Sequence, residues 1–321
     1  MSTNNKTLNL LSDLVKYKSI TPDVTECQKY IEDYLAAISF RTEYVKYEDV
    51  QNMIATYGEG SPCLAFIGHT DVVPPGDLSK WKSDPYCLQQ DNGMLIGRGT
   101  ADMKGGIACF MSAVREYLED GNAVKGSIKF ILTADEEGDA VNGIRKVVDQ
   151  DIFKDNDLDY CLVGEPSSSA EIGDVIRNGR RGSITGHLTL HGVQGHVAYP
   201  EKADNPIHSC SEVLSNLLRI KFDNGNEFFP PTSFQVSNIN AGTGVDNVIP
   251  GDIKLSFNVR YSTETNADKI KNSIIDVIES SNVKYDMSWK HSGEPFLTTD
   301  NEFMNMCKES IKDVTSIDTV V

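Results

Sequence analysis

The chain has 321 residues, 39% hydrophobic and 24% charged, enough for two domains with a sizeable core and unlike a disordered polymer. Its formal net charge of −17 disfavours nucleic acid and anionic membrane surfaces, which call for clustered Lys and Arg, but leaves room for a small anionic substrate gripped by local arginines or a metal. No window is apolar for long enough to span a bilayer, and the opening MSTNNKTLNLLSDLVKYKS lacks the unbroken apolar stretch of a secretory signal.

From the N-terminus, Leu8, Leu11, Leu14 and Val15 fall at helical spacing over residues 7–18, and Ser19-Ile20-Thr21-Pro22 stops that helix. A second helix is expected over about 26–38. Four short apolar runs follow. CLAFIG (63–68) ends at His69, and MLIG (94–97) leads through RGTA to Asp102. IKFILTA (128–134) ends at Asp135, Glu136 and Glu137, and YCLVG (160–164) ends at Glu165. Three of the four read as buried strands with acidic or imidazole groups just past their C-terminal ends. Helical patterns intervene at 104–120 and 142–150, which predicts an α/β domain with a mostly parallel central sheet. Ligands of such sheets bind beyond the carboxyl ends of the strands, where these polar groups converge.

After about residue 180 the pattern changes. SITGHLTLHG (183–192), FQVSNINAG (234–242), DIKLSFNVRYS (252–262) and VKYDMSWKHSG (283–293) alternate as half-exposed strands do. Helices are expected over about 206–220 and 267–280. The order strand-helix-strand-strand-helix-strand predicts a ferredoxin-like α+β module over 181–293, inserted between a first catalytic part, 1–180, and an incomplete return, 294–321, that opens with a helix over about 301–314. Seven scattered cysteines, none in a CxxC pair, read as reduced core thiols of a cytoplasmic protein.

The chemistry concentrates in a few motifs. His69-Thr70-Asp71 places an imidazole and a carboxylate two apart, so His69 can ligate a metal while Asp71 fixes its tautomer. Asp102 lies in the glycine-rich GRGTADMKGG, and Glu165 precedes Pro166. In LTADEEG, consecutive acids at a strand end are costly without a cation; Glu137 suits a metal and Glu136 a nucleophilic water. Each motif alone also fits a turn, a helix cap or a solvated acidic loop. Together, one histidine and three carboxylates suit zinc or a similar divalent ion. Asp102, Glu137 and Glu165, with a hydroxide, match the charge of two divalent cations, and a bridging carboxylate is the natural way to hold such a pair.

These motifs, in this order, resemble the M20 family of co-catalytic metallopeptidases and deacylases. The resemblance runs through GHTDVVPPGD, WKSDPY, GRGTADMKGG, LTADEEG and LVGEPS, then NGRRGS, GVQGHVAYP, NPIH and GTGVDNVIPG. It implies a zinc-peptidase-like catalytic domain that hydrolyses a linear amide in a small substrate with two divalent ions, Zn2+ foremost and Co2+ as the alternative. His69 and Glu165 would bind one ion, Glu137 the other, and Asp102 would bridge them. Glu136 would be the general acid/base, Asp71 would orient His69, and the peptide Asp102-Met103 would be cis. The inserted module would act as a lid and homodimerisation domain. Its His196 would reach the partner's site and stabilise an oxyanion, while Arg180, Tyr199, Asn247 and Arg260 would hold substrate carboxylates or carbonyls.

One departure stands out. The family takes the last ligand of the second metal from a histidine near its C-terminus. This chain stops at Thr319-Val320-Val321, and of its six histidines only His69 fits a metal position. The expectation is a shortened chain with a weakened second site. Rival readings are another deacylase or a carboxypeptidase of the family, and a noncatalytic metal-binding product. A nucleotide-binding protein is disfavoured, because there is no GxxxxGK[ST] and GRGTADMKGG does not fit GxGxxG.

Overall fold

The computed structural model describes residues 3–148, 158–299 and 301–321, which divide into two compact units, Met1–Ser168 and Ser169–Val321. The first unit opens with α1 (Thr3–Lys16) and α2 (Thr25–Ala36), then β1 (Arg41–Tyr47), β2 (Val50–Gly58) and β3 (Cys63–His69). A small hairpin of β4 (Gln89–Asp91) and β5 (Met94–Ile96) precedes an irregular turn at 100–104, α3 (Gly105–Glu119) and β6 (Ser127–Thr133). Then come α4 (Ile144–Val147) and β7 (Tyr160–Val163).

The sheet order is β1-β2-β6-β3-β7. β3 runs parallel to both β6 and β7, whereas β1-β2 and β2-β6 are antiparallel. The expected mostly parallel sheet is thus mixed. β1 is largely exposed and polar, and nothing in its pattern announces the hairpin that it makes with β2. One face of the sheet buries Phe66 and Phe130 against Leu11, Leu14, Ile31, Ile107 and Met111 from α1, α2 and α3. Phe110 stacks on Phe66 at 4.5 Å between ring centroids. Ile54, Ala65 and Ile131 pack with Val147 of α4 on the other face. Covered on both faces, β3 and β6 read as continuous apolar runs.

Two apolar runs lie outside the buried part of the sheet. MLIG contributes β5, which among the described residues pairs with β4 and stays outside the main sheet. YCLV forms β7, the terminal strand of the sheet among the described residues, and all four of its residues are exposed rather than buried. Of the helix expected over 142–150, only Ile144–Val147 is helical among the described residues; 142–143 and 148 are bend and turn, and 149–150 lie outside the described residues. The cysteines also divide: Cys27, Cys63 and Cys210 are buried, while Cys87, Cys109 and Cys161 are exposed, so the core-thiol reading holds for only some of them.

In the second unit, β8 (Gly179–Arg180), β9 (Gly182–His191) and β10 (Gly195–His196) lead to α5 (Pro206–Leu217). There follow β11 (Ser233–Ala241), β12 (Val248–Ile249), β13 (Asp252–Tyr261), α6 (Ala267–Ser280), β14 (Lys284–Gly293), β15 (Phe296–Leu297) and α7 (Glu302–Thr315). The main sheet has the order β11-β13-β9-β14 and is antiparallel throughout. Period-2 alternation sends Ile184, Leu188, Leu190, Leu255, Phe257 and Val259 to one face. There they meet Val213 and Leu217 of α5, and Ile270, Ile274 and Ile278 of α6 at four-residue spacing. Asn205, Asn266 and Asn301 cap α5, α6 and α7, each side chain accepting a backbone N–H of the first turn. β15 pairs with β8, and Val320 bridges to Val175. No helix among the described residues is long and apolar enough to cross a membrane.

Candidate metal centre

Parallel pairing brings the C-terminal ends of β3, β6 and β7 to one edge of the first unit, so the residues that follow them meet there. Asp102 arrives by another route. Gly106, at the start of α3, lies so close to Gly164 that a Cβ on it would sit 2.4 Å from the Gly164 carbonyl oxygen. Glycine is required there for backbone to approach backbone, and the contact sets the Asp102 turn beside Glu165. The Asp102-Met103 peptide is cis, and the Met103 sulfur accepts the His69 N–H at 3.2 Å.

His69 is the centre of the cluster and is 1% exposed. Its Nδ1 donates to the Asp71 carbonyl oxygen at 2.9 Å, with the nearer Asp71 carboxylate oxygen at 3.5 Å. The backbone of Asp71, more than its side chain, therefore fixes the tautomer that leaves Nε2 facing the acids. Nε2 lies 2.9 Å from Asp102 Oδ1, 3.5 Å from Glu165 Oε1 and 3.9 Å from Glu136 Oε2. Two sets of side chains can each converge on an ion: His69, Glu136 and Glu165, and His69, Asp102 and Glu137.

The electrostatics fit a cation. Burial opposes charge on His69, but the Asp71 and Asp102 carboxylates outweigh it and raise the imidazolium to about 10. Burial, reinforced by Asp102 and Glu136 against the pull of His69, pushes the Glu165 carboxyl up to about 7. Burial and the neighbouring Asp102 also raise Glu137. The cluster holds protons that it would otherwise shed, and a divalent ion with the same donors would displace them. Asp71 Oδ1 is buried with no hydrogen-bond partner, while Oδ2 accepts the Glu137 N–H at 3.1 Å.

Around this centre lies polar scaffolding that the sequence motifs do not reveal. Gln28, fully buried, donates from Nε2 to the Gln51 carbonyl and to Thr70 Oγ1, both at 3.2 Å. Ser19 Oγ donates to the Thr70 carbonyl at 2.6 Å. Lys104, 1% exposed, donates to the carbonyls of Leu14 at 2.9 Å and Tyr17 at 2.8 Å, and burial lowers its pKa. The one signal for Gln28 is an amide on the inward face of α2, in register with Ile31 and Leu35. Nothing in the sequence marks Ser19 or Lys104.

In the second unit, three of the expected site residues gather. β10 pairs with β12 so that His196 lies opposite Val248, and Val197 N donates to the Asn247 carbonyl at 3.1 Å. The His196 and Tyr199 rings are 5.8 Å apart. His196 Nδ1 accepts the Ala198 N–H at 3.1 Å, so a neutral ring carries its proton on Nε2. Arg180 pairs with Phe296 on β8, and Arg260 lies on β13 opposite Ser183 and Ser233; both are exposed.

A family model described as peptidase family M20/M25/M40 matches residues 65–321. The chain belongs to peptidase family M20/M25/M40. Among curated M20 relatives, a succinyl-diaminopimelate desuccinylase from Thioalkalivibrio sulfidiphilus is 47% identical over 98% of this chain and 83% of its own length. One of the same name from Acinetobacter baylyi is 45% identical, with the same coverage of both chains. An M20 family metallo-carboxypeptidase from Sulfolobus solfataricus has a similar fold, with a TM-score of 0.81 at 15% identity over 98% of this chain and 84% of that one.

Proposed function

We propose that this chain hydrolyses the amide bond of N-succinyl-LL-2,6-diaminopimelate, releasing succinate and LL-2,6-diaminopimelate, a step of lysine and diaminopimelate biosynthesis. The observation that carries this reading is the convergence of His69, Asp102, Glu136, Glu137 and Glu165 in a chain 45–47% identical to desuccinylases over 96–98% of its length.

In this reading His69 and Glu165 would hold one divalent ion, Glu137 would hold a second, and Asp102 would serve both. Zn2+ suits the mixed imidazole and carboxylate donors, with Co2+ as the alternative. When bound, such ions acidify a water and polarise the amide carbonyl. Glu136 takes the proton of the attacking water and returns it to the departing amine. Asp71 keeps His69 in its Nδ1–H tautomer. His196, with its proton on Nε2, donates to the substrate carbonyl oxygen of a partner copy. Arg180, Tyr199, Asn247 and Arg260 hold the carboxylates and carbonyls of the small substrate.

The module spanning 181–293 serves in this reading as a ferredoxin-like lid and homodimerisation domain, with 294–321 returning to the catalytic part. Its two sheet edges support a preferred side for pairing. β14 carries Lys284, Asp286 and Lys290, whereas β11 has no charged residue from Ser233 to Ala241. Charges deter edge pairing, so β11 is the edge left open to a second copy. A cytoplasmic location agrees with seven cysteines that form no disulfide.

The test is hydrolysis by metal-loaded protein, comparing the succinylated diaminopimelate with N-acetylornithine. A preference for the acetylated substrate would assign the chain to a different deacylase.

A further inference from the structure

Three acids follow β6, and only two of them fall in the candidate ligand sets. The third, Asp135, is buried at 6% exposure. Its Oδ2 accepts the backbone N–H groups of Val141 at 2.8 Å and Asn142 at 2.9 Å. That pair of bonds closes the segment 135–142 into a loop, in which Ala140 takes a left-handed φ of 54°. The returning arm is held from behind by Asn52, which is fully buried and donates from Nδ2 to the Asn142 carbonyl at 3.0 Å. The leading arm is held by the Glu137 N–H on Asp71.

Glu136 and Glu137 therefore lie between two fixed points, a side-chain anchor one residue before them and a backbone anchor at Glu137 itself. There is little slack. A Cβ at Gly138 would sit 2.8 Å from Asp135 Oδ1 and 2.9 Å from Thr21 Oγ1. A Cβ at Gly143 would sit 2.4 Å from Thr133 Oγ1. Two backbone N–H groups aimed at one oxygen satisfy the buried Asp135 side chain.

We propose that Asp135 is a positioning residue for Glu136 and Glu137: by closing the 135–142 loop it sets where the two acids present their carboxylates. The proposal rests on the metal-centre reading above. Both N–H groups donate to one oxygen, so the amide carbonyl oxygen of Asn can replace that acceptor, and the methyl of Ala cannot. This gives a conservative rescue.

The experiment titrates Co2+ into metal-free protein, following visible absorption and calorimetry at a temperature where circular dichroism shows every variant folded. Asp135→Ala should weaken Co2+ binding about 10- to 100-fold, the usual cost of losing a group that orients a ligand. It should lower kcat of the metal-saturated protein with KM within about twofold, since the loss falls on the reacting groups rather than on substrate binding. Asp135→Asn should restore affinity to within about threefold. A purely structural role would lower the melting temperature of Asp135→Ala and leave Co2+ affinity, its spectrum and kcat unchanged; that result overturns the proposal. If Asp135→Ala does not fold, Asp135→Ser, whose oxygen is too short to span both N–H groups, carries the same expectation. Glu137→Gln is the control. If it weakens Co2+ binding and the Asp135 variants do not, the positioning role is wrong. If Glu137→Gln has no effect either, the metal-centre reading fails and the proposal falls with it.

Discussion

The two units use polar residues in opposite ways. At the strand ends of the first, His69, Asp71, Gln28, Lys104 and Asp135 are buried, and each is answered by a named partner or by the acid cluster. On the open face of the second, Lys254, His187, Lys284 and Lys290 alternate outward from a sheet whose other face is apolar. Burying a polar group is costly unless it is paired, so the first arrangement survives because a geometry is required there. The second costs nothing and constrains little.

The sharpest way to break this contrast is kinetic. Glu136→Gln should cut kcat by about 100- to 10,000-fold, the usual contribution of a general acid/base, while metal content measured by elemental analysis stays at the parent level. Near-normal turnover would remove Glu136 from the chemistry. Stability gives the next largest effect. Gln28→Ala should destabilise by about 1–3 kcal/mol in urea unfolding, because it strands buried acceptors at the foot of the His69 loop. Lys254→Ala, on the solvated face, should stay within about 0.5 kcal/mol. Equal effects would erase the distinction between the units.

The smallest effect is a difference in the sign of the pH response, read by hydrogen exchange on metal-free protein. In the first unit, Glu165 is raised from 4.5 to about 7 and His69 from 6.5 to about 10. The folded state then binds more protons than the unfolded one, so stability falls as pH rises through about 4.5 to 10. In the second unit, burial opposes ionisation of Asp223, but donors from Thr232, Gly225 and Ser262 win and hold its carboxyl below the ordinary 3.8. Its stabilisation is complete above that value and is lost as pH falls through the depressed one. Protection should decline with rising pH in the first unit and with acid in the second. Adding Zn2+ should abolish the first slope and spare the second.

Legibility in the sequence follows the same division. The bounds of α6 were readable because Ile270, Ile274 and Ile278 repeat at helical spacing, and β9 and β13 because alternation has one interpretation. The acids were readable because charge at the end of an apolar strand is anomalous. What escaped depends on partners distant in sequence. β7 carries the letters of a buried strand, yet among the described residues neither of its faces is covered. The role of Asp135 requires knowing that the chain turns back at Val141, which no local pattern announces.

Lys104 gives the N-terminal helix an influence beyond its own packing. Its ammonium hangs from the carbonyls of Leu14 and Tyr17, at and just past the end of α1, and it stands two residues from Asp102. Fraying of α1 would release that ammonium into an apolar interior and let the neighbouring turn drift. Shortening the chain at its beginning, or fusing a bulky tag there, would then register far from the alteration, as leakage of bound ions rather than as loss of helix alone.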